Sequence, residues 1–255
     1  MQALLLEPGD APAFEAIEDR SNSPFLITCD HAGRQLPRKL GSLGLPESEL
    51  LRHIAWDIGA AGVARLLAAE LGAFAILQTY SRLVIDCNRP LGVPSSIATL
   101  SEDTVIPGNR DVAPEEAERR ARAIFTPYHD RIRDELERRE RRQQPTVLVA
   151  MHSFTPIYQG IARPWHAGVL YNRDARFAHA LLGLLRRAPL IKVGDNEPYS
   201  ASDATDYGVI EHGERRGIPY VEIEIRQDLL NDEAGQTAWA RRLAELLPQA
   251  RASFE

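Results

Sequence analysis

The chain has 255 residues, 44% hydrophobic and 26% charged, the values of an ordinary globular protein with material for a sizeable core. Thirty basic against 36 acidic side chains leave a formal charge of -6, which argues against a general nucleic-acid binder and leaves small molecules or proteins as partners. The opening MQALLLEPGD has no basic start and only three consecutive leucines, too little for a signal peptide or a membrane span, so a cytoplasmic protein with one domain over 1–255 is expected.

Residues 13–18 are a weak strand candidate, and Pro24 opens PFLITCDHAG, a short apolar strand ending in Asp30, His31 and Gly33. From Pro46 to Gly72 apolar residues recur at helical spacing, with Ile54, Ile58, Val63, Leu66 and Leu67 on one face; Asp57 falls inside that predicted helix, either solvated or buried. AFAILQT (73–79) and RLVIDC (82–87) read as two strands joined by a hairpin or a tight crossover. In the second, the strand period puts Asp86 and Asn88 on one face, and Pro90 forces an exit from which Arg89 projects. Cys29 and Cys87 lie in such apolar runs and read as small buried residues, not as a disulfide. Residues 90–114 form a connection long enough to wall a cleft.

Pro114 to Gln144 reads as a helix in two pieces, broken at Pro127, with Thr126 capping the second. Its acid-before-base pairs, Asp134 with Arg138, Glu135 with Arg139 and Glu137 with Arg141, suit a solvated face. In VLVAMHSFTP (147–156) the apolar run from Val147 to Met151 suits a strand buried on both faces. It ends at His152, at the C-terminal edge where open α/β sheets place ligands. A loop with Arg163, Pro164, Trp165 and His166 leads into AGVLY, and Asp174 is placed to cap a helix over 175–187. A strand at 190–193, a polar loop over 194–205 and a short helix with Tyr207 and His212 follow. His53, His129 and His179 read as surface or core histidines. In PYVEIEIRQD the strand period sets Glu222, Glu224 and Arg226 on one face: at a sheet edge water solvates them, whereas in a central strand each needs a partner. An amphipathic helix over 232–247 closes the chain, turning Trp239, Leu243, Leu246 and Leu247 toward the sheet.

Polar residues thus gather at the ends of four apolar strands: Asp30 with His31, Asn88 with Arg89, His152, and Glu224. Two histidines and a carboxylate leave zinc an open fourth position for water, whose pKa falls toward about 7 on the metal. A glutamate beside it can accept the water's proton and deliver it to a leaving amine, while an arginine binds a substrate carboxylate through two parallel hydrogen bonds. Amide hydrolysis needs those parts.

TCDHAG at 28–33, SRLVIDCNRP at 81–90, AMHSF at 150–154 and VEIEIRQDLL at 221–230 resemble the N-formylglutamate amidohydrolase family, over roughly residues 24–230. The ordered set of four is far more specific than any one of them. More distantly, the Asp-x-Asn-Arg, His-Ser-aromatic and Glu-Ile-Arg pieces resemble zinc carboxypeptidases and aspartoacylases. The resemblance implies an α/β fold, a three-layer α/β/α sandwich with a mixed central sheet like that of zinc carboxypeptidases. It also implies a single catalytic Zn2+ and a small-molecule N-acyl amino acid substrate such as N-formylglutamate, with neither nucleic acid nor membrane as partner.

Matched residue by residue, the resemblance puts metal ligands on His31 and His152, the general base on Glu224, and the carboxylate-binding arginine on Arg89 beside Asn88. One departure matters. Zinc carboxypeptidases carry a glutamate three residues after the first histidine, where this chain has Arg34, so the third ligand comes from elsewhere. Asp57 is favoured because the family also carries an aspartate on the following helix; Asp30 is the alternative. Glu222 rivals Glu224, on the same strand face. Arg82 or Arg163 is expected to help stabilise the oxyanion. Arg163 is also expected to take the second carboxylate of a dicarboxylate substrate, with Arg110 and Arg173 as alternatives and Tyr199 and His212 as candidate pocket residues. Two further readings stay open: a zinc peptidase or a deacylase of another N-acyl amino acid, and a non-catalytic carboxylate-binding or interaction module on the same fold.

Overall fold

Runs of apolar residues free of interior proline build the sheet of this computed structural model, which describes residues 4–254; the first three residues of the N-terminal stretch read above lie outside the described residues. Its seven strands are β1 (Phe14–Ile17), β2 (Phe25–Cys29), β3 (Phe74–Gln78), β4 (Val147–Phe154), β5 (Ala167–Leu170), β6 (Val193–Asp195) and β7 (Tyr220–Arg226). They lie in the order β1-β3-β2-β4-β7-β5-β6. The four strands from β3 to β7 run parallel, while β1 is antiparallel to β3 and β5 to β7, so the sheet is mixed.

The helices are α1 (Ala60–Leu71), α2 (Pro114–Arg120), α3 (Thr126–Arg141), α4 (Arg176–Leu185), α5 (Tyr207–His212) and α6 (Glu233–Phe254). The two-residue period of the strands feeds two cores. Phe25, Ile27, Val149 and Ile223 pack with α1, α4 and α6, where Trp239, Leu243 and Leu247 are buried. Leu26, Ile76, Leu148 and Ala150 pack with Ile124, Tyr128 and Ile132 and with Val209 of α5. A sheet with helices on both faces is the three-layer α/β/α architecture expected, and it explains why β2, β3 and β4 are buried at every position. No helix of the described residues is long and apolar enough to cross a membrane.

Several local expectations are corrected. The stretch from Pro46 to Gly72 is not one helix: a single turn at Glu47–Leu50 is followed by irregular backbone, and α1 begins only at Ala60. Gly59 makes the junction, with φ of 81° and with no room for a Cβ, which would lie 2.3 Å from Leu230. RLVIDC is not a strand. Ser81 and Val84 close a turn, Asp86 and Arg89 another, and Leu83, Val84 and Ile85 are buried by packing against the second core instead of by strand pairing. β4 continues through Ser153 and Phe154, because β7 keeps pairing with it as far as Arg226. Strand β6 begins at Val193, where the expected strand ended.

Helices α2 and α3 are joined without a break. Pro127 has no N–H to give, and a π-helical turn over Ala121–Phe125, with the Thr126 N–H bonded to Ala121 O, absorbs the missing bond. Phe125, not Thr126, stands at the cap position, and it makes no side-chain capping bond. Nor is the charged face of α3 wholly solvated: Arg138 turns to Glu135, and Glu135 and Arg139 are each 1% exposed in their side chains. Arg139 donates to Glu135 Oε1 at 2.9 Å and to the carbonyls of Ser23 at 2.9 Å and Phe25 at 3.2 Å, tying α3 to the entry of β2. Arg139→Met leaves Glu135 buried beside fewer cations and should cost about 3–5 kcal/mol, read as a lower urea midpoint. A loss under about 1 kcal/mol would contradict the buried-pair account.

His129 and His212 form a second buried pair. His129 Nε2–H donates to Cys87 O at 2.8 Å, so its Nδ1 accepts from His212 Nε2–H at 2.9 Å. Burial pushes the His129 pKa down to about 3, and burial together with His129 pushes His212 well below its ordinary value. Both imidazoles are therefore neutral in the fold, and the unfolded chain takes up their protons first. Their contribution is complete above pH 6.5, the ordinary histidine value, and is lost as pH falls toward 3. Between pH 6.5 and 4 the metal-free wild type should lose stability more steeply than His212→Asn, which keeps a donor for His129; parallel acid limbs would contradict this.

Candidate active site

Three neighbouring parallel strands, β2, β4 and β7, end on one side of the sheet, and the chain leaves each with a polar residue there. Asp30 and His31 follow β2 directly, while His152 and Glu224 are paired across β4 and β7. Glu222 and Glu224 share a face of β7, and since β7 is central between β4 and β5, neither is solvated as an edge residue would be: they are 2% and 6% exposed. A cavity of about 500 Å³ opens above them, walled by Ala98, Leu100 and Glu102 from the connection after Arg89 and by Tyr158 and Tyr199.

Asp57 joins them from the irregular segment before α1, where its N–H bonds to His31 O at 2.9 Å. Its Oδ2 lies 3.0 Å from His152 Nδ1 and 3.6 Å from His31 Nδ1, and accepts from the Ser153 N–H at 3.2 Å. The far side of His31 is engaged too. Asp86 Oδ1 accepts from its Nε2–H at 2.7 Å, which fixes the tautomer and leaves Nδ1 bare and without a hydrogen-bond partner. Asp86 is itself held by Arg82, at 3.2 and 2.8 Å, and by the Asn88 N–H at 2.8 Å.

The electrostatics follow from burying many charges together. Burial opposes ionisation of Asp57, but His31 and His152 outweigh it and hold the carboxyl far below its ordinary range. Asp86 is likewise held well below by Arg82 and His31. Burial works against a charged His152, yet Glu222, Asp57 and Glu224 raise its pKa well above the ordinary value. Burial also lifts Glu224 to about 7, and burial together with Asp206 lifts Glu222 well above the usual carboxylate range.

His31, Asp57 and His152 offer ligand atoms that all lie within 4.8 Å of one another, and these three could hold a metal ion. A tetrahedral zinc with bonds of about 2.0–2.1 Å spaces its ligand atoms by about 3.3 Å, a value that the distances from Asp57 to the two imidazoles bracket. The bare, buried Nδ1 of His31 is the atom such an ion would satisfy. His152, Glu222 and Glu224 form a second close group that shares His152. Asp30 is in neither group. It lies behind His152, with Oδ2 3.9 Å from Nε2, and Oδ1 accepts from Tyr128 OH at 2.5 Å.

Sequence and structure comparisons bear on what such a site does. The N-formylglutamate amidohydrolase family model matches residues 23–231, which include all of these residues. The chain belongs to this family. A curated member, N-formylglutamate deformylase of Pseudomonas aeruginosa, is 27% identical over 243 residues, covering 89% of each chain. Its namesake from Pseudomonas putida is 32% identical over 141 residues, 51% of each chain. Among solved structures, a gene product of Agrobacterium tumefaciens superposes with a TM-score of 0.94 at 36% identity, over 98% of both chains. N-formylglutamate amidohydrolase from Ralstonia eutropha shares the fold, with a TM-score of 0.70 at 17% identity over 94% of this chain and 99% of that one.

The remaining family-derived residues are distributed unevenly. Arg82, Asn88 and Arg89 line the cavity. Arg89 donates to the carbonyls of Asn88 and Thr205, and Asn88 Oδ1 accepts from the Gly208 N–H at 3.0 Å. Arg163 is not among the lining residues; it sits behind two that are, its guanidinium 4.6 Å from the rings of both Tyr158 and Tyr199 and donating to Tyr199 OH at 2.7 Å. The alternatives fall away: Arg173 is spent on Asp203 and Glu214, Arg110 lines a separate hollow beside Leu4 and Lys39, and His212 pairs with His129. Sequence reasoning missed His53 as a wall of the cavity, 3.4 Å from Glu102, and missed Tyr128 altogether. Neither has a local signal. The sequence marks Asp86 only through the Asp-x-Asn-Arg motif and a strand face shared with Asn88, and its partner His31 lies 55 residues away.

Proposed function

We propose that this chain hydrolyses the formyl or another acyl amide of an N-acylated amino acid, with N-formylglutamate as the leading substrate, and uses one divalent ion, zinc, held by His31, Asp57 and His152. The observation that carries this reading is the convergence of the two imidazole Nδ1 atoms on Asp57, with Glu224 paired beside His152 on the cavity floor. Two nitrogens and one carboxylate oxygen are a zinc donor set with a position left open. The substrate comes from the family and from the names of its curated members. When bound there, zinc would supply Lewis-acid polarisation of the amide carbonyl and water of lowered pKa.

The chain's own residues divide the rest. Glu224 takes a proton from the attacking water at a carboxylate oxygen and returns it to the departing nitrogen. Arg82, locked against Asp86, presents a fixed positive charge to the carbonyl oxygen without reorganising. Arg89, beside Asn88, binds the α-carboxylate, and Arg163, braced on the lining residues Tyr158 and Tyr199, receives the side-chain carboxylate of an acidic substrate. Positioning of both carboxylates holds the amide over Glu224.

The test is amine release from N-formyl-, N-acetyl- and N-succinyl-amino acids by the purified protein, with metal content measured alongside. Turnover of N-formylglutamate that disappears with a chelator and returns with zinc supports the reading. Stoichiometric zinc with no hydrolysis of any of these amides would favour the carboxylate-binding module instead.

A further inference from the structure

The histidines of the site are treated alike on their cavity side and differently behind. His31 has a carboxylate against its rear nitrogen, Asp86 at 2.7 Å, and that carboxylate is itself braced by Arg82. His152 has Asp30 in the matching position. There Nε2 and Asp30 Oδ2 are both buried, both lack a hydrogen-bond partner, and face one another at 3.9 Å. The other oxygen of Asp30 is pinned by Tyr128 OH at 2.5 Å, and Tyr128 is fully buried on α3. The surroundings are shaped for this carboxylate: a Cβ on Gly208, in α5, would lie 3.0 Å from Asp30 Oδ2.

We infer that Asp30, held by Tyr128, is the positioning residue of His152, as Asp86, held by Arg82, is of His31, and that this pair helps set the affinity of the metal site. The inference rests on the metal reading proposed above. An imidazole that gives its Nδ1 lone pair to a cation keeps its proton on Nε2, and a buried N–H needs an acceptor. Asp30 Oδ2, buried and unpartnered 3.9 Å away, is an acceptor within reach of a small ring movement; Glu222 and Glu224, close to the same histidine, each have an unpartnered oxygen as well. A carboxylate there fixes the ring and increases its basicity as a ligand. Tyr128 supplies the proton that anchors the opposite oxygen, so the aspartate cannot swing away. Asp30 is thereby assigned a role other than the metal ligand for which it was an alternative.

The test uses the full chain stripped of metal and titrated with zinc against a chromophoric chelator, then loaded with cobalt for its visible spectrum. Asp30→Asn, which keeps the shape and loses the charge, should weaken zinc binding about 10–100-fold. Tyr128→Phe, which removes one hydrogen bond, should weaken it about 3–10-fold. Both should shift the cobalt absorption, and Gly208→Ala, which crowds the same oxygen, should shift it too. A merely structural role predicts a lower melting temperature of the metal-free variants with the zinc constant and the cobalt spectrum unchanged, and that result overturns the inference. A wild-type chain that takes up no zinc overturns the metal reading and this inference with it; normal loading of wild type and variants alike overturns this inference alone.

Discussion

Glu224→Gln should lower kcat/KM on N-formylglutamate by about 10²–10⁴-fold and leave the metal content unchanged. The substitution preserves volume and hydrogen bonding while removing the ability to take a proton. Glu224 lines the cavity beside His152, 6% exposed, and its buried Oε2 has no hydrogen-bond partner within the protein. Its rival sits one strand period back. Glu222 is paired with Ala150 instead of His152 and is 2% exposed, and burial, with Asp206 and Glu224 adding to it against the pull of His152, raises its pKa well above the usual carboxylate range. Glu222→Gln should therefore cost far less than Glu224→Gln. The reverse order of the two variants would transfer the base to Glu222.

The second large effect belongs to Asp57. Asp57→Ala should abolish stoichiometric zinc uptake, a larger loss than the about 10–100-fold expected for a group that only supports a ligand. It removes the oxygen that lies 3.0 and 3.6 Å from the two imidazoles and also accepts from Ser153 N. His31 and His152 would then face one another, with ring centroids 5.1 Å apart and their main shared counter-charge gone. Zinc bound by Asp57→Ala as tightly as by the wild type would remove Asp57 from the ligand set.

Much of this site was legible in the sequence because its residues end apolar runs. A strand that is buried throughout and then turns polar marks where a sheet meets its ligand, which is how His31, His152 and Glu224 stand out before any coordinates. The sequence points to Asp57 but puts it in a helix, since apolar spacing that suits a helix says nothing of the Gly59 turn that stops α1 from starting earlier. RLVIDC misled for a related reason. β-branched residues report burial, and Leu83 to Ile85 are buried by packing against the sheet's side chains without pairing to any described strand. Glu135 and Arg139 carry the same four-residue spacing as an exposed helix pair, and only the carbonyls of Ser23 and Phe25, more than a hundred residues away in the chain, reveal that theirs is internal. Asp86 against His31 and Tyr128 against Asp30 are long-range partnerships of the same sort, 55 and 98 residues apart, which no local pattern encodes.

X-ray absorption at the zinc edge, on protein loaded to saturation, tests the central claim most directly. One zinc per chain with two imidazole ligands and oxygen for the remainder, falling to one imidazole or to no metal in His31→Ala and in His152→Ala, is the result predicted. A zinc shell without imidazole, or one unchanged by both substitutions, would contradict it.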